Sequence, residues 1–182
     1  MSKKDFDDFL SKKSKSPVPE VDWKAEKDEW LCYLNGLYKL FEKSLEEYVE
    51  KKKITIKYDE IEITEEHVGV YIAKKMILAF GDERITLKPI GTFLIGAKGR
   101  VDMSGKTGSV KIVLVDSHMQ KLQDHIKISV FIDAKKSPIE DLKIQPEEID
   151  WQWKFITAPP THAYQPVNQD TIYSTMMELS ND

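Results

Sequence analysis

The residues of this chain that could do chemistry do not fall at the spacings that chemistry requires. The four histidines, His67, His118, His125 and His162, include no pair at the i, i+4 spacing that sets two imidazoles on one helix face, and no carboxylate completes a zinc-like pattern. The single cysteine, Cys32, excludes an internal disulfide and a cysteine-rich metal site. It stands among apolar residues at helical spacing and is expected to be a small buried hydrophobe. Ser104, Ser109 and Ser117 fall in predicted turns and lack the sharp strand-to-helix turn that exposes a nucleophilic serine. Glu60, Glu62, Glu65 and Glu66 are dense, yet Glu60 and Glu62 alternate with isoleucines as a solvated strand face does. No catalytic residue, metal or cofactor is expected.

The nearest approach to a named motif is GRVDMSGKT, from Gly99 to Thr107. A phosphate-binding loop places four residues between its glycines and opens a helix whose N-terminal amides hold the phosphate. Here five residues separate Gly99 from Gly105, and the β-branched run SVKIVLV follows. The segment is therefore expected to be a glycine-rich hairpin turn that binds no nucleotide.

Two constellations are better suited to binding than to catalysis. Arg100 and Asp102 are two apart on a predicted strand, so their side chains share one face. They read as an ion pair or as a polar pair that holds a ligand. Trp151, Trp153, Phe155, His162 and Tyr164 fall within 14 residues, partly on APPTHAYQP, where three prolines stiffen the backbone. Trp151, Trp153 and Phe155 share the parity of a buried strand face. Residues 158–166 are expected on the surface, displaying Tyr164 and His162 to a partner. The candidate binding residues are thus Tyr164, His162, Trp153, Arg100 and Asp102.

The elements that must position these residues are legible from periodicity. Trp30, Leu34, Leu37, Phe41, Leu45 and Tyr48 recur at three- and four-residue spacing, widened by Leu31, Tyr38 and Val49. This predicts a long helix over 21–53 with Asp22 as its N-cap. Gly36 within it marks a kink or a close approach to a sheet. From Ile54 the period becomes two, with a phase change at Asp59-Glu60 that predicts a turn or bulge. Lys74-Lys75 reads as a second irregularity in the strand from Val68 to Phe80. Gly96 and Gly99 predict a bulge or sharp curl in the strand that ends at Met103. Ile126, Ile128, Val130 and Ile132 alternate as a further strand, and Trp151–Phe155 as the last. Asn168 caps a short C-terminal helix, with Val167 and Ile172 as a hydrophobic staple. The expected architecture is α+β: a long N-terminal helix, a strongly curved, mostly antiparallel sheet of about seven strands, and a short C-terminal helix.

The chain has 182 residues, enough for one domain. Residues 1–20, rich in Lys, Ser and Asp and ending at Pro17-Val-Pro19, are expected to form a disordered tail, with a single domain over 21–182. Phe6, Phe9 and Leu10 are spaced to form one amphipathic turn, the pattern of a short docking segment. The net charge of −4 disfavours a nonspecific nucleic-acid binder, which needs a basic field. No run resembles a secretory signal or a membrane span, and a cytoplasmic location is expected. The sequence supports a non-enzymatic protein-interaction module, such as an accessory subunit, inhibitor or immunity-type factor. The alternatives are a small-molecule binder using the concave face of the sheet, and an enzyme assembled from scattered residues.

Overall fold

The computed structural model describes residues 22–92, 97–120, 149–157 and 163–180. Helix α1 (Trp23–Glu50) leads into strands β1 (Thr55–Glu65), β2 (Gly69–Phe80), β3 (Glu83–Gly91), β4 (Gly99–Ser104), β5 (Ser109–Asp116), β6 (Trp151–Ile156) and β7 (Tyr164–Pro166), and helix α2 (Gln169–Ser180) closes the fold. The strands form one antiparallel sheet in sequence order, β1 to β7. The class is α+β, as the switch from a 3.6- to a 2-residue period predicts. The expected tail at 1–20 and the expected strand at 126–132 lie outside the described residues. Among the described residues the last strand is the short β7, which falls on the proline-rich segment.

Helix α1 starts where Asp22 Oδ1 accepts from the backbone N–H groups of Lys24 (3.1 Å) and Ala25 (3.0 Å). Its stripe of Trp30, Leu34, Leu37, Tyr38, Phe41 and Leu45 is buried against Met76, Leu78, Ile85, Leu87, Val101, Met103, Ile112, Leu114 and Phe155. Helix α2 is fixed by a reciprocal cap. The N–H of Thr171 donates to Asn168 Oδ1 (3.0 Å), while the N–H of Asn168 donates to Thr171 Oγ1 (2.9 Å). Ile172, Met176 and Leu179 then enter the same core. The Tyr173 hydroxyl donates to the Ser44 carbonyl (2.7 Å) and its ring meets Tyr48 edge-on at 5.7 Å, which docks α2 on α1.

The sheet is not strongly curled, contrary to expectation. Among the described strands β1 and β7 are the two edges of an open meander, and the face expected to be a concave pocket is filled by the side chains of α1. Gly99 has a different reason, and Gly96 lies outside the described residues. A Cβ on Gly99 would lie 2.0 Å from the Trp30 ring, so this glycine makes room for an indole, and the register from β4 to β5 runs without a shift. Among the described strands the register shifts earlier, between Pro89 and Gly91.

The phase change in β1 is also neither a turn nor a bulge. Asp59 stands opposite Lys75 and Glu60 opposite Lys74, so the two expected irregularities are cross-strand partners, and the ladder keeps its register through them. Both strands change face together. Ile54 and Ile56 before the change, and Ile61 and Ile63 after it, all pack on the core. Pairing of β2 with β3 ends at Met76–Leu87, and just there the Tyr38 hydroxyl donates to the Lys74 carbonyl (2.5 Å). The helix thus supplies a donor where the sheet no longer does.

Candidate functional site

At the N-terminal half of α1 the polar chemistry is closed. Glu65, at the end of β1, is a buried carboxylate. It accepts from the Tyr71 hydroxyl (2.5 Å) and from the backbone N–H (2.8 Å) and hydroxyl (2.7 Å) of Thr92. Gly91 adopts φ +142°, and a Cβ there would lie 2.8 Å from the Glu65 carboxyl carbon. Burial first, then the hydrogen bond to Glu65 and its charge, push the Tyr71 hydroxyl well above the usual phenol range, so it remains a donor. Among the described residues the indole N–H of Trp30 is buried without a hydrogen-bond partner. Nearby, Lys98 Nζ sits 2.5 Å from Glu29 and 3.7 Å from Glu26, 5.4 Å from the centre of the Trp151 ring. A recess of about 310 Å³ lined by Trp23, Glu26, Thr92, Ala97, Lys98 and Trp151 lies here. Among the described residues its basic group, Lys98, is already held by two carboxylates and an aromatic face.

The hairpin that resembles a phosphate loop spends its donors on α2. The N–H of Thr107 donates to the Leu179 carbonyl (3.2 Å) and its hydroxyl to the Glu178 carbonyl (2.7 Å). A Cβ on Gly105 would lie 2.5 Å from the Leu179 carbonyl oxygen. The turn is a cap for the C-terminal end of α2, whose last carbonyls have no intrahelical partner.

The sequence-predicted binding residues do not converge. Arg100 and Asp102 form a two-pronged pair with each other (2.6 and 2.7 Å). Their side chains lie on the sheet face away from α1, where the cross-strand row Asp102, Lys111, Ile156, Tyr164 runs to β7. Tyr164 is three strand spacings from Asp102, roughly 14 Å at the usual strand separation. The expected exposure of Tyr164 does not hold. Its residue is 8% accessible and packs with Val113, Val115 and Met119 in a second small core, because β7 pairs with β6 as an edge strand. Trp153 faces the opposite way, tilted against Trp30 at 5.9 Å with its N–H on the Tyr33 carbonyl (3.1 Å). His162 lies outside the described residues. Cys32, expected to be buried, is exposed on α1.

Sequence reasoning missed three buried or half-buried charges: Glu65, Lys98 and Lys154. Lys154 Nζ is buried and donates to the carbonyls of Ser117 and Met119, both at 2.7 Å. Burial holds its pKa below the usual lysine value, against the pull of Asp116 and Asp150. Its alternation with Trp153 and Phe155 signalled only an outward face. Among the described residues no group of three or more His, Cys, Asp or Glu side chains is placed to hold a metal ion.

At the C-terminal end of α1 the situation reverses. The apolar stripe continues past Leu45 to Tyr48 and Val49, but core cover does not, and Val49 is 37% exposed. Leu45, Tyr48, Ile54, Phe80, Tyr173, Met176 and Met177 line an open groove of about 540 Å³. Met177 is 59% exposed at its rim. Among the described residues Lys53 is the one charged side chain in the lining. The helix ends in a Schellman turn, with the N–H of Lys52 on the Val49 carbonyl (2.9 Å) and that of Lys53 on the Tyr48 carbonyl (2.8 Å). Lys52 adopts φ +56°, where glycine is usual. Lys51 is paired with Glu47, whereas Lys52 and Lys53 have no ion pair among the described residues. No helix among the described residues is long and apolar enough to cross a membrane.

The chain matches no family model, no curated protein and no solved structure. The functional reading therefore rests on this geometry.

Proposed function

We propose that this chain is a non-enzymatic protein-interaction module, and that the groove between the end of α1, the ends of β1 and β2, and α2 receives one apolar face of an amphipathic helix from a protein partner. The observation that carries the reading is the uncovered end of the α1 stripe, an apolar channel with a lysine at its rim. Helix-in-groove recognition needs such a channel, with walls that do not have to be ordered on binding. The Tyr48–Tyr173 contact and the Tyr173 hydroxyl bond hold those walls in place. Two methionines add a surface that adapts to differently shaped side chains. The unpaired Lys52 and Lys53 favour a partner helix with acidic residues beside its apolar anchors. The groove is within the size of small-ligand pockets but lies open, and such pockets bury most of their ligand. That favours a macromolecular segment over a small molecule.

The test is a selection. A displayed library of helical 18-residue peptides, with one apolar face and flanking positions varied among Glu, Gln and Lys, is panned on the full chain. The expected result is a set of Glu-rich binders that lose at least tenfold in affinity against Met177→Asp. Binders indifferent to that substitution, or none at all, would remove the groove as the interaction site. A twelve-carbon fatty acid that binds stoichiometrically where no peptide does would favour the small-molecule reading.

A further inference from the structure

We infer that the chain carries its own competitor for this groove: the N-terminal segment Asp5–Leu10, sequence DFDDFL, occupies it intramolecularly until a partner displaces it. The inference rests on the groove reading above and adds its regulation. Phe6, Phe9 and Leu10 stand at i, i+3 and i+4, so on one helical turn they present a single apolar face. Asp5, Asp7 and Asp8 put three negative charges within the same six residues. That is the combination the groove selects, apolar anchors with acidic neighbours, against an apolar channel flanked by the unpaired Lys52 and Lys53.

The length of the connection agrees. From Trp23 to Leu45, α1 rises roughly 33 Å at 1.5 Å per residue. From Leu10 to Asp22 the chain has twelve Cα steps, about 40 Å when fully extended. A flexible chain of that length would average only about 19 Å end to end, short of the span. This linker, however, carries Lys12, Lys13 and Lys15 in close succession, which repel, and Pro17 and Pro19, which favour the extended polyproline conformation at about 3.1 Å per residue. Twelve steps at that rise give roughly 37 Å, close to the distance required. A tether whose length matches its span gives the highest effective concentration, so a weak contact suffices to close the groove. The occupant is displaced by any partner helix whose own affinity exceeds that contact.

The experiment uses the full chain throughout. A fluorescent peptide of residues 2–14 is titrated by anisotropy into the unaltered chain and into a full-length variant carrying Phe6→Ser, Phe9→Ser and Leu10→Ser, which cannot supply the anchors itself. Saturable binding to the triple variant is expected, at least tenfold weaker to the unaltered chain, lost when Met177→Asp is added and reduced severalfold by Lys53→Glu. Circular dichroism confirms that each variant is folded. Equal affinity for both chains, or no saturable binding to the triple variant, overturns the inference. If the peptide fails while selected helices still bind in a Met177-dependent manner, the tail is not the occupant and the groove reading stands. If neither binds, both fall. A tail-dependent dimer in the unaltered chain, detected by light scattering over a concentration series, would overturn the intramolecular placement.

Discussion

The two ends of α1 solve opposite problems. Near its N-terminal half, Trp30 presses on Gly99, Glu65 collects three donors, and Lys98 sits between two carboxylates and an indole. The charged groups there are engaged by the chain itself, and the Trp30 indole N–H is the exception among the buried polar atoms described. Near its C-terminal end, Tyr48, Phe80 and Met177 leave apolar surface in a channel, and Lys52 and Lys53 have no ion pair among the described residues. Closed polar networks fix one structure, because an unsatisfied buried group costs more than a satisfied one returns. Uncovered apolar surface of this kind costs free energy in water and is relieved by a partner. The richest gathering of titratable groups is therefore the structural end, and the chemically plain end is the one we propose for binding.

The sharpest way to break this contrast is to damage the closed end. Glu65→Ala leaves the Tyr71 hydroxyl and both Thr92 donors without their acceptor, at about 1–3 kcal/mol for each donor left unsatisfied. Several kcal/mol is a large part of a margin of roughly 5–15 kcal/mol. Urea denaturation should show a large fall in midpoint, with Glu65→Gln recovering part of it. If Glu65→Ala is as stable as the parent, the carboxylate is not a structural anchor and the recess beside it regains interest as a ligand site. Gly99→Ala belongs to the same end. Its new methyl would overlap the Trp30 ring, and overpacking of that kind costs about 1–3 kcal/mol. A smaller loss would mean the indole can shift.

The open end should respond in the opposite sense. Met177→Asp touches an exposed side chain, so stability should change by no more than about 0.5 kcal/mol. Affinity for a groove-selected helix should fall at least tenfold, about 1.4 kcal/mol. A variant that unfolds would show that Met177 belongs to the core and that the groove is closed in solution.

These outcomes also mark what the sequence could reveal. The stripe of α1, its Asp22 cap and the Asn168 cap of α2 were legible because their partners lie within one or two helical turns. Glu65 was not, because its donors lie 6 and 27 residues away and nothing beside it marks it as buried. Glycine was ambiguous. Gly99 reads equally as a bend or as room for a ring, and only the approach of Trp30 decides. Pro166, the last residue of β7, fits an extended backbone there, but the prolines did not reveal which side of Tyr164 would be covered. The stripe from Trp30 to Tyr48 was legible, whereas the point at which the sheet stops covering it is set by strand lengths and by where α2 docks. The groove is therefore a tertiary fact with only a hint in sequence, a helical stripe that outruns its core.

The smallest expected effects concern α1 itself. A Cβ on Gly36 meets no atom within 4 Å, so neither a kink nor a close approach requires this glycine. Gly36→Ala should stabilise by roughly 0.5–1 kcal/mol, read as a rise in thermal midpoint. No gain would point to a contact made only with a partner.

The central claim is that the open end binds and the closed end does not, and methionine methyl NMR tests it directly. The chain has six methionines. Met176 and Met177 line the groove, Met76 and Met103 lie in the main core, and Met119 lies in the second core. Titration of ¹³C-methyl-labelled chain with a selected helix should shift Met176 and Met177 and leave Met76, Met103 and Met119 in place. Shifts at Met103 or Met119 with Met177 unmoved would contradict the account and place the binding surface elsewhere on the molecule.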